Sequence, residues 1–446
     1  MRAISVRKVD PRTAVGALVV GLVGWALLVL YLPIALNRHV PLGEGTDFFG
    51  YRAVAWDLLH RLNPYQIAAL HRGMHAAGVG GSFPPYYAFA LPLWVGFLFL
   101  WAPSLPLTAG FIVWTALSIG LVLASAVVLA RWLGWRRPWL VGLVVVATPA
   151  AIVGYMVGQL DALLLFLLTL VLVAASSKKY FWAGLAAGFF VALKFEVAWP
   201  LAPFLLIVLW NDRHAFRRAL EGELVAGMFC LVVPMLFVPS WPTAWVHKLV
   251  GFTASIPNIQ PDPAGLVGLV RVLPRSWHIT PGLHDPITWI LVLVCLIAFF
   301  LLGLSLLRGH IELEDRERLC VGLGVPLVLW ALCSPYGHSD DILVLLPVVL
   351  LLLSSNWRGL RDTWVWLFCF VLAALPGYTI LALLVLGPRA NSLSFTSLGT
   401  LWVAYLVASE LVRRQSADQR ARADKSSENL HRTGGLEGGA VHSRLS

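Results

Sequence analysis

Runs of about twenty apolar residues, the length that crosses a hydrocarbon core, recur along the whole chain, as in 14–35, 112–130 and 287–307. The pattern predicts a first span over 14–36 and a polar stretch over 37–82. Apolar segments follow at 83–102, 107–130, 139–155, 159–175, 181–210, 221–239, 287–307, 319–334, 341–353, 362–388 and 394–412. Within the polar stretch, Phe48, Tyr51, Ala55, Leu58 and Leu62 recur at helical spacing. Asp57 and Arg61 lie off that stripe, Arg52 lies at its edge, and Asn63-Pro64 ends it. A helix lying flat at the membrane surface is expected there.

Charge decides how these segments thread the membrane. Short basic loops mark the cytoplasmic side, and the N-terminus carries Arg2, Arg7, Lys8 and Arg12. One crossing per segment would put Arg131, Arg136, Arg137, Lys178 and Lys179 on the opposite side. Two changes remove the conflict. Segment 83–102, interrupted by Pro84, Pro85 and Pro92 and followed by Pro103, dips in and returns to the outer side. Segment 181–210 becomes two short helices meeting near Lys194, because Lys194 and Glu196 in mid-span are costly facing lipid and Pro200 follows. About twelve crossings remain, and the loops 131–138, 176–180, 211–218, 308–318 and 356–361 all fall inside. Asp47, Gln159, Asp161, Lys194, Glu196, the long loop 240–286 and the turn 334–341 then share the outer level. The predicted fold is all-α, with one polytopic domain over 1–412. The tail, 413–446, is rich in Arg, Ser, Glu and Gly and has the composition of a disordered cytoplasmic segment.

Composition agrees with this reading. The 446 residues are 59% hydrophobic and only 13% charged, too few charges to clothe a soluble protein of this size. The net charge of +10 collects in loops and tail, so it points to a lipid bilayer and excludes nucleic acid as partner. The 20 Trp suit membrane interfaces. Cys230, Cys295, Cys320, Cys333 and Cys369 all lie in apolar stretches without a CxxC pair, so no disulfide framework or metal site is expected. No Walker motif, no GxGxxG after a strand and no DxD occurs, so neither a nucleotide nor a metal-held sugar nucleotide is supported.

Four polar groupings carry candidate chemistry. Asp47 lies in Gly45-Thr46-Asp47-Phe48-Phe49-Gly50-Tyr51-Arg52, where it can cap the helix or act as a general base beside apolar surface; one residue can do both. Gly158-Gln159-Leu160-Asp161 is either a polar turn capped by Asp161 or part of a site. Lys194 can bind a phosphate or pair with Glu196 at a kink. Ser334-Pro335-Tyr336-Gly337-His338-Ser339-Asp340-Asp341 offers His338 as a phosphate donor or proton shuttle, or is a wet turn with Asp341 as cap. The loop 240–286 mixes Trp241, Trp245, His247, Lys248, Arg271 and His278, and fits a connector or a cover over a cleft.

Taken in order, Asp47 with Tyr51-Arg52, Asn63-Pro64-Tyr65, Phe83-Pro84-Pro85-Tyr86, Gly158-Gln159, Gly184-Leu185-Ala186-Ala187-Gly188 before Lys194, and Ser334-Pro335 with His338 resemble glycosyltransferase family 87. The likeness covers about residues 10–410. These are GT-C-fold enzymes that use polyprenyl-phosphate-mannose. The resemblance implies inverting transfer of a sugar, mannose in the commonest members and arabinofuranose in some relatives, from a polyprenyl monophosphate to a lipid or polysaccharide acceptor. It implies no metal or cofactor, and a site on the periplasmic face of the plasma (inner) membrane. It gives Asp47 the role of base, and it places Tyr51, Arg52, Gln159, Lys194 and His338 at the substrates. Phe195-Glu196 departs from the aliphatic-Pro pair that often follows the family's Lys. A flippase of lipid-linked sugars is the rival reading; it would favour inverted repeats, and none is visible.

Overall fold

The computed structural model describes residues 46–76, 91–255, 284–308, 315–334, 341–353 and 403–409, with a few single positions besides. Among the described residues every regular element is helical. In chain order they are α1 (Thr46–Leu59), α2 (Ile67–Ala76), α3 (Trp94–Phe97), a 3-10 turn (Ala102–Ser104), α4 (Leu107–Trp132), α5 (Pro138–Val146), α6 (Pro149–Val157), α7 (Asp161–Ser176) and α8 (Tyr180–Leu193). Then come α9 (Phe195–Ala198), α10 (Leu201–Leu209), α11 (Arg213–Met235), α12 (Trp241–Ser255), α13 (His284–Leu307), α14 (Asp315–Cys333), a second 3-10 turn (Asp341–Leu345) and α15 (Leu346–Leu352).

Of these, α4 alone is long and apolar enough to cross a membrane, and α5 with α6, bent by 54°, makes a second if counted as one span. Asp161–Ser176, Tyr180–Leu193, Val292–Leu307 and Asp341–Leu352 are shorter apolar helices. The predicted spans 14–36 and 362–388 and the tail 413–446 lie outside the described residues. The number of crossings, about twelve, therefore remains an expectation of the hydropathy pattern. Wide apolar faces are exposed on α11 (Leu224, Val225, Met228, Phe229, Val232) and α13 (Ile290, Leu293, Val294, Ile297, Leu301). In water such patches would drive aggregation; against lipid they need no cover.

Segment 181–210 breaks where expected. Helix α8 stops at Lys194, whose backbone is extended at φ −146° and ψ 72°, and the chain resumes in α9 and α10. The packing of α8 on α11 shows that the chain turns back in between. Gly184 lies against the Ala219 backbone, and one turn further Gly188 meets Ala226 at 2.6 Å from where its Cβ would sit. Advancing along α8 thus advances along α11, so the two helices are parallel. Two parallel helices joined by one short segment require that segment to return, which is what α9 and α10 do. The close approach depends on small residues, with Gly184-xxx-Gly188 on one helix and Ala219, Gly222 and Ala226 on the other.

The chain is consequently sorted into two ends. At one end, Trp132 Nε1 donates to Ser176 Oγ at 2.9 Å, Arg316 donates to the Trp132 carbonyl, and the Arg218 guanidinium lies over Phe181 at 5.3 Å. This end holds the basic residues after α4 and α7 and those near the starts of α11 and α14. The opposite end holds α1, the α6–α7 turn and the start of the Asp341 turn. The described part of segment 83–102 also finishes at that end, with Phe99 and Trp101 against Phe48. It is broken into α3, turns and the 3-10 turn, and it packs Gly96 against Val54 and Leu58 of α1.

The surface helix differs from expectation. Phe48, Tyr51, Arg52, Ala53, Val54, Ala55, Asp57 and Leu58 of α1 are all buried, so it is sheathed rather than lying open on one face. The cause is a layer of neighbours on several sides: α2 through Gly73, α3 through Gly96, and the first turn of α4 through Gly110. Phe48 stands at the centre, with ring centroids of Phe49, Phe99, Trp101 and Phe111 at 5.8–6.2 Å. Burial of each such ring contributes about 1.5–3 kcal/mol. The predicted loop 240–286 is not irregular throughout, because α12 occupies its first part, anchored by Trp241 Nε1 donating to the Leu231 carbonyl at 3.1 Å.

Gly184→Val drives a side chain into the α11 backbone and should cost at least about 1–3 kcal/mol. A thermal melt in detergent should show a lowered midpoint or no folded protein, whereas Gly227→Ala, with open space around it, should melt like the parent. Cysteines placed at Arg136, Lys178 and Arg213 should all react with an impermeant maleimide from one side of the membrane. Labelling from opposite sides would break the two-end arrangement.

Candidate active site

Of the candidate residues, Asp47, Tyr51 and Gln159 meet at the end opposite the basic loops, and Lys194 pairs with Asp161 and Asp341 close by. Asp47 stands in the first turn of α1, where the helix dipole favours a carboxylate. Gln159 follows Gly158, which ends α6 at φ +80°, a left-handed conformation suited to glycine. Its lack of a side chain also matters, because a Cβ there would come within 2.6 Å of Phe48 Cβ. Trp114 Nε1 donates to the Gly158 carbonyl at 3.0 Å. The turn is thus pressed against α1 and pinned to α4, and Gln159 is delivered to Asp47.

Gln159 Nε2 donates to Asp47 Oδ2, and Tyr51 Oη donates to Gln159 Oε1 at 3.4 Å. Tyr51 therefore orients the amide with its NH2 group towards the carboxylate. Asp47 is half-buried, with its carboxyl as the enclosed part. Removal from water pushes its pKa up to about 6; the charges of Asp161 and Asp341 add to the rise, and Lys194 and the Gln159 hydrogen bond oppose it.

Lys194 is buried and paired. Its ammonium lies 3.5 Å from Asp161 Oδ1 and also contacts Asp341 Oδ1. Asp161 is the first residue of α7 and Asp341 opens the second 3-10 turn, so one side chain joins three elements. Asp161 and Asp341 thus serve this triad, and Asp161 makes no side-chain cap to α7; the side chain of Glu196, the other partner expected for Lys194, lies outside the described residues. Removing one partner of such a buried group costs about 3–5 kcal/mol, because the remaining charge stays in the interior.

Arg52, one and a half turns along α1 from Asp47, is 6% exposed. Its Nε and Nη1 have no hydrogen-bond partner. The guanidinium lies beside the first turn of α4, with Nη1 3.6 Å from the Cβ position of Gly110. Burial pulls its pKa below the usual arginine range. Two positive features therefore converge there, since the first amides of a helix are also unsatisfied donors.

Pattern reading missed Asp57, which it set on the wet side of α1. Asp57 is fully buried against Gly73, and both carboxylate oxygens lack a hydrogen-bond partner. Burial pushes its pKa up to about 7, with Arg72 pulling the other way. His338 and the loop residues Arg271 and His278 lie outside the described residues. Among the described residues no group of His, Cys, Asp and Glu could hold a metal ion.

Asp47 should titrate with a midpoint near 6, read as the carboxyl infrared band that disappears in Asp47→Asn. Gln159→Leu removes a donor that favours the charged form, so its midpoint should move to higher pH. An unchanged or lower midpoint would contradict the geometry.

Comparison with known proteins adds the family. The pattern of glycosyltransferase family 87 matches residues 84–335, more than half of the chain. Gln159, Asp161 and Lys194 fall inside the matched range, while Asp47, Tyr51 and Arg52 precede it and Asp341 follows it. Neither the curated proteins nor the solved structures contain a match. Members of the family are membrane-bound glycosyltransferases. The chain belongs to glycosyltransferase family 87.

Proposed function

We propose that the protein moves a sugar, mannose, from a polyprenyl monophosphate to a hydroxyl of a glycolipid or polysaccharide acceptor, with inversion. The site would face the periplasmic side of the inner membrane, away from the basic N-terminus. The observation that carries this reading is the enclosed Asp47 carboxyl, held by Gln159 and with a pKa raised to about 6. Such a group is ionised at neutral pH yet basic enough to accept a proton in the transition state.

In this reading the acceptor oxygen attacks the anomeric carbon and Asp47 takes its proton. The bond from that carbon to the phosphate oxygen breaks, and the electron pair leaves with the polyprenyl phosphate. A β-linked donor then gives an α-linked product. Negative charge develops on the departing phosphate, and a fixed cation there lowers the barrier. Arg52 supports that role, because its buried guanidinium has unpartnered donors beside the start of α4. Tyr51 and Gln159 hold the base in place. No metal or other cofactor is invoked, and the hydrophobic tail of the donor would enter between helices from the bilayer.

Purified protein with polyprenyl-phosphate-[14C]mannose and a lipid extract should give a labelled product. Asp47→Asn should lower the rate by about 10²–10⁴-fold with unchanged folding. Full activity in the folded variant would refute the assignment of the base. Transfer from polyprenyl-phosphate-arabinofuranose instead of the mannose donor would correct the sugar while leaving the base in place.

A further inference from the structure

We propose that Lys194 is a positioning residue for the Asp47–Gln159 pair and not a ligand of the donor phosphate. The proposal rests on the reading of this site as the catalytic one. Its primary test, however, follows Asp47 itself and needs no turnover.

The geometry points this way for three reasons. First, the Lys194 ammonium is already committed to two carboxylates, Asp161 and Asp341, in a buried setting. Second, Asp161 lies two residues after Gln159. The Lys194–Asp161 pair at 3.5 Å therefore fixes the far side of the same turn that Trp114 and Phe48 fix on the near side. Third, the extended backbone at Lys194 ends α8 and lets the side chain reach both α7 and the Asp341 turn, elements with no covalent link nearby. A phosphate ligand would gain nothing from this bridging. A brace for Gln159 depends on it.

The charged groups that act on Asp47 among the described residues are Lys194 at the end of α8, Asp161 on α7 and Asp341 on the 3-10 turn. Arg52 shares α1. The neighbouring α2 carries His71, Arg72 and His75, and of these Arg72 acts on Asp57. Helices α3 and α6 and the first 3-10 turn carry no Asp, Glu, Lys or Arg. Among the described residues the triad's members act on the base with opposite signs. Lys194 lowers the proton affinity of Asp47, whereas Asp161 and Asp341 raise it.

The test titrates Asp47 by its carboxyl infrared band in the full-length protein in nanodiscs, using Lys194→Met, Asp161→Asn and Asp341→Asn. Lys194→Met should move the midpoint up. Each Asp→Asn variant should move it down. With polyprenyl-phosphate-mannose as donor, Lys194→Met should lower kcat about tenfold or more while the donor KM stays within about threefold, since a residue that positions the base acts on the chemical step. Midpoints that stay put in all three variants overturn the proposal. A tenfold rise in donor KM with an unmoved midpoint in Lys194→Met makes Lys194 a phosphate ligand instead. Should Lys194→Met fail to fold, the two Asp→Asn variants decide alone, because each removes one carboxylate from Lys194; unmoved midpoints in both reject the idea. An active Asp47→Asn would overturn the assigned base, and the infrared result would still decide whether Lys194 governs Asp47.

Discussion

An ammonium buried in an apolar helical bundle must be neutralised where it lies, and much of the candidate site is organised by how this is done at Lys194. The side chain cannot reach water from its buried position, and the helix that carries it ends there. Two carboxylates from distant parts of the chain converge on it. That convergence draws the start of α7 and the Asp341 turn to one point at the site end of the bundle. The turn before α7 carries Gln159, and Gln159 is what meets Asp47. The position of the proposed base is thus tied to an ion pair in which it takes no direct part.

A second constraint operates on the other side of the same turn. Gly158 is pressed so closely on Phe48 that no side chain fits there, and Phe48 is locked among four aromatic rings. The site is therefore clamped between an ionic contact and an aromatic one. Ion pairs in a low dielectric are strong but unforgiving of vacancies, and aromatic packing tolerates little change of volume. Each holds the turn by different physics, so the amide of Gln159 is positioned independently of any bound substrate.

Much of this was legible in the sequence, and the omissions have a common cause. The basic loops required segment 181–210 to turn back near Lys194, and the parallel packing of α8 on α11 bears that out. Asp47 and Gln159 stood out because each was an unusual polar residue in a local motif. The partners of Lys194 did not, because Asp161 is 33 residues away and Asp341 is 147. Linear reading offered Glu196, two positions on, whose side chain lies outside the described residues. Helical spacing gave α1 one buried face and left Asp57 outside it. Spacing describes a helix on a surface, and α1 has neighbours on several sides, which only the tertiary arrangement supplies. The number of crossings rests on hydropathy, since a single described helix is by itself long and apolar enough to span.

The unpartnered Nε and Nη1 donors of Arg52 have a consequence for the order of events after transfer. A polyprenyl-phosphate sugar is a phosphodiester with one negative charge. The polyprenyl phosphate left behind is a monoester, with a second ionisation near pH 6, and carries close to two charges in neutral solution. If Arg52 holds the donor phosphate, the same cation grips the spent carrier more tightly than the substrate. Escape of the lipid back into the bilayer then becomes the slow stage of the cycle, and accumulated carrier would throttle the enzyme that produced it.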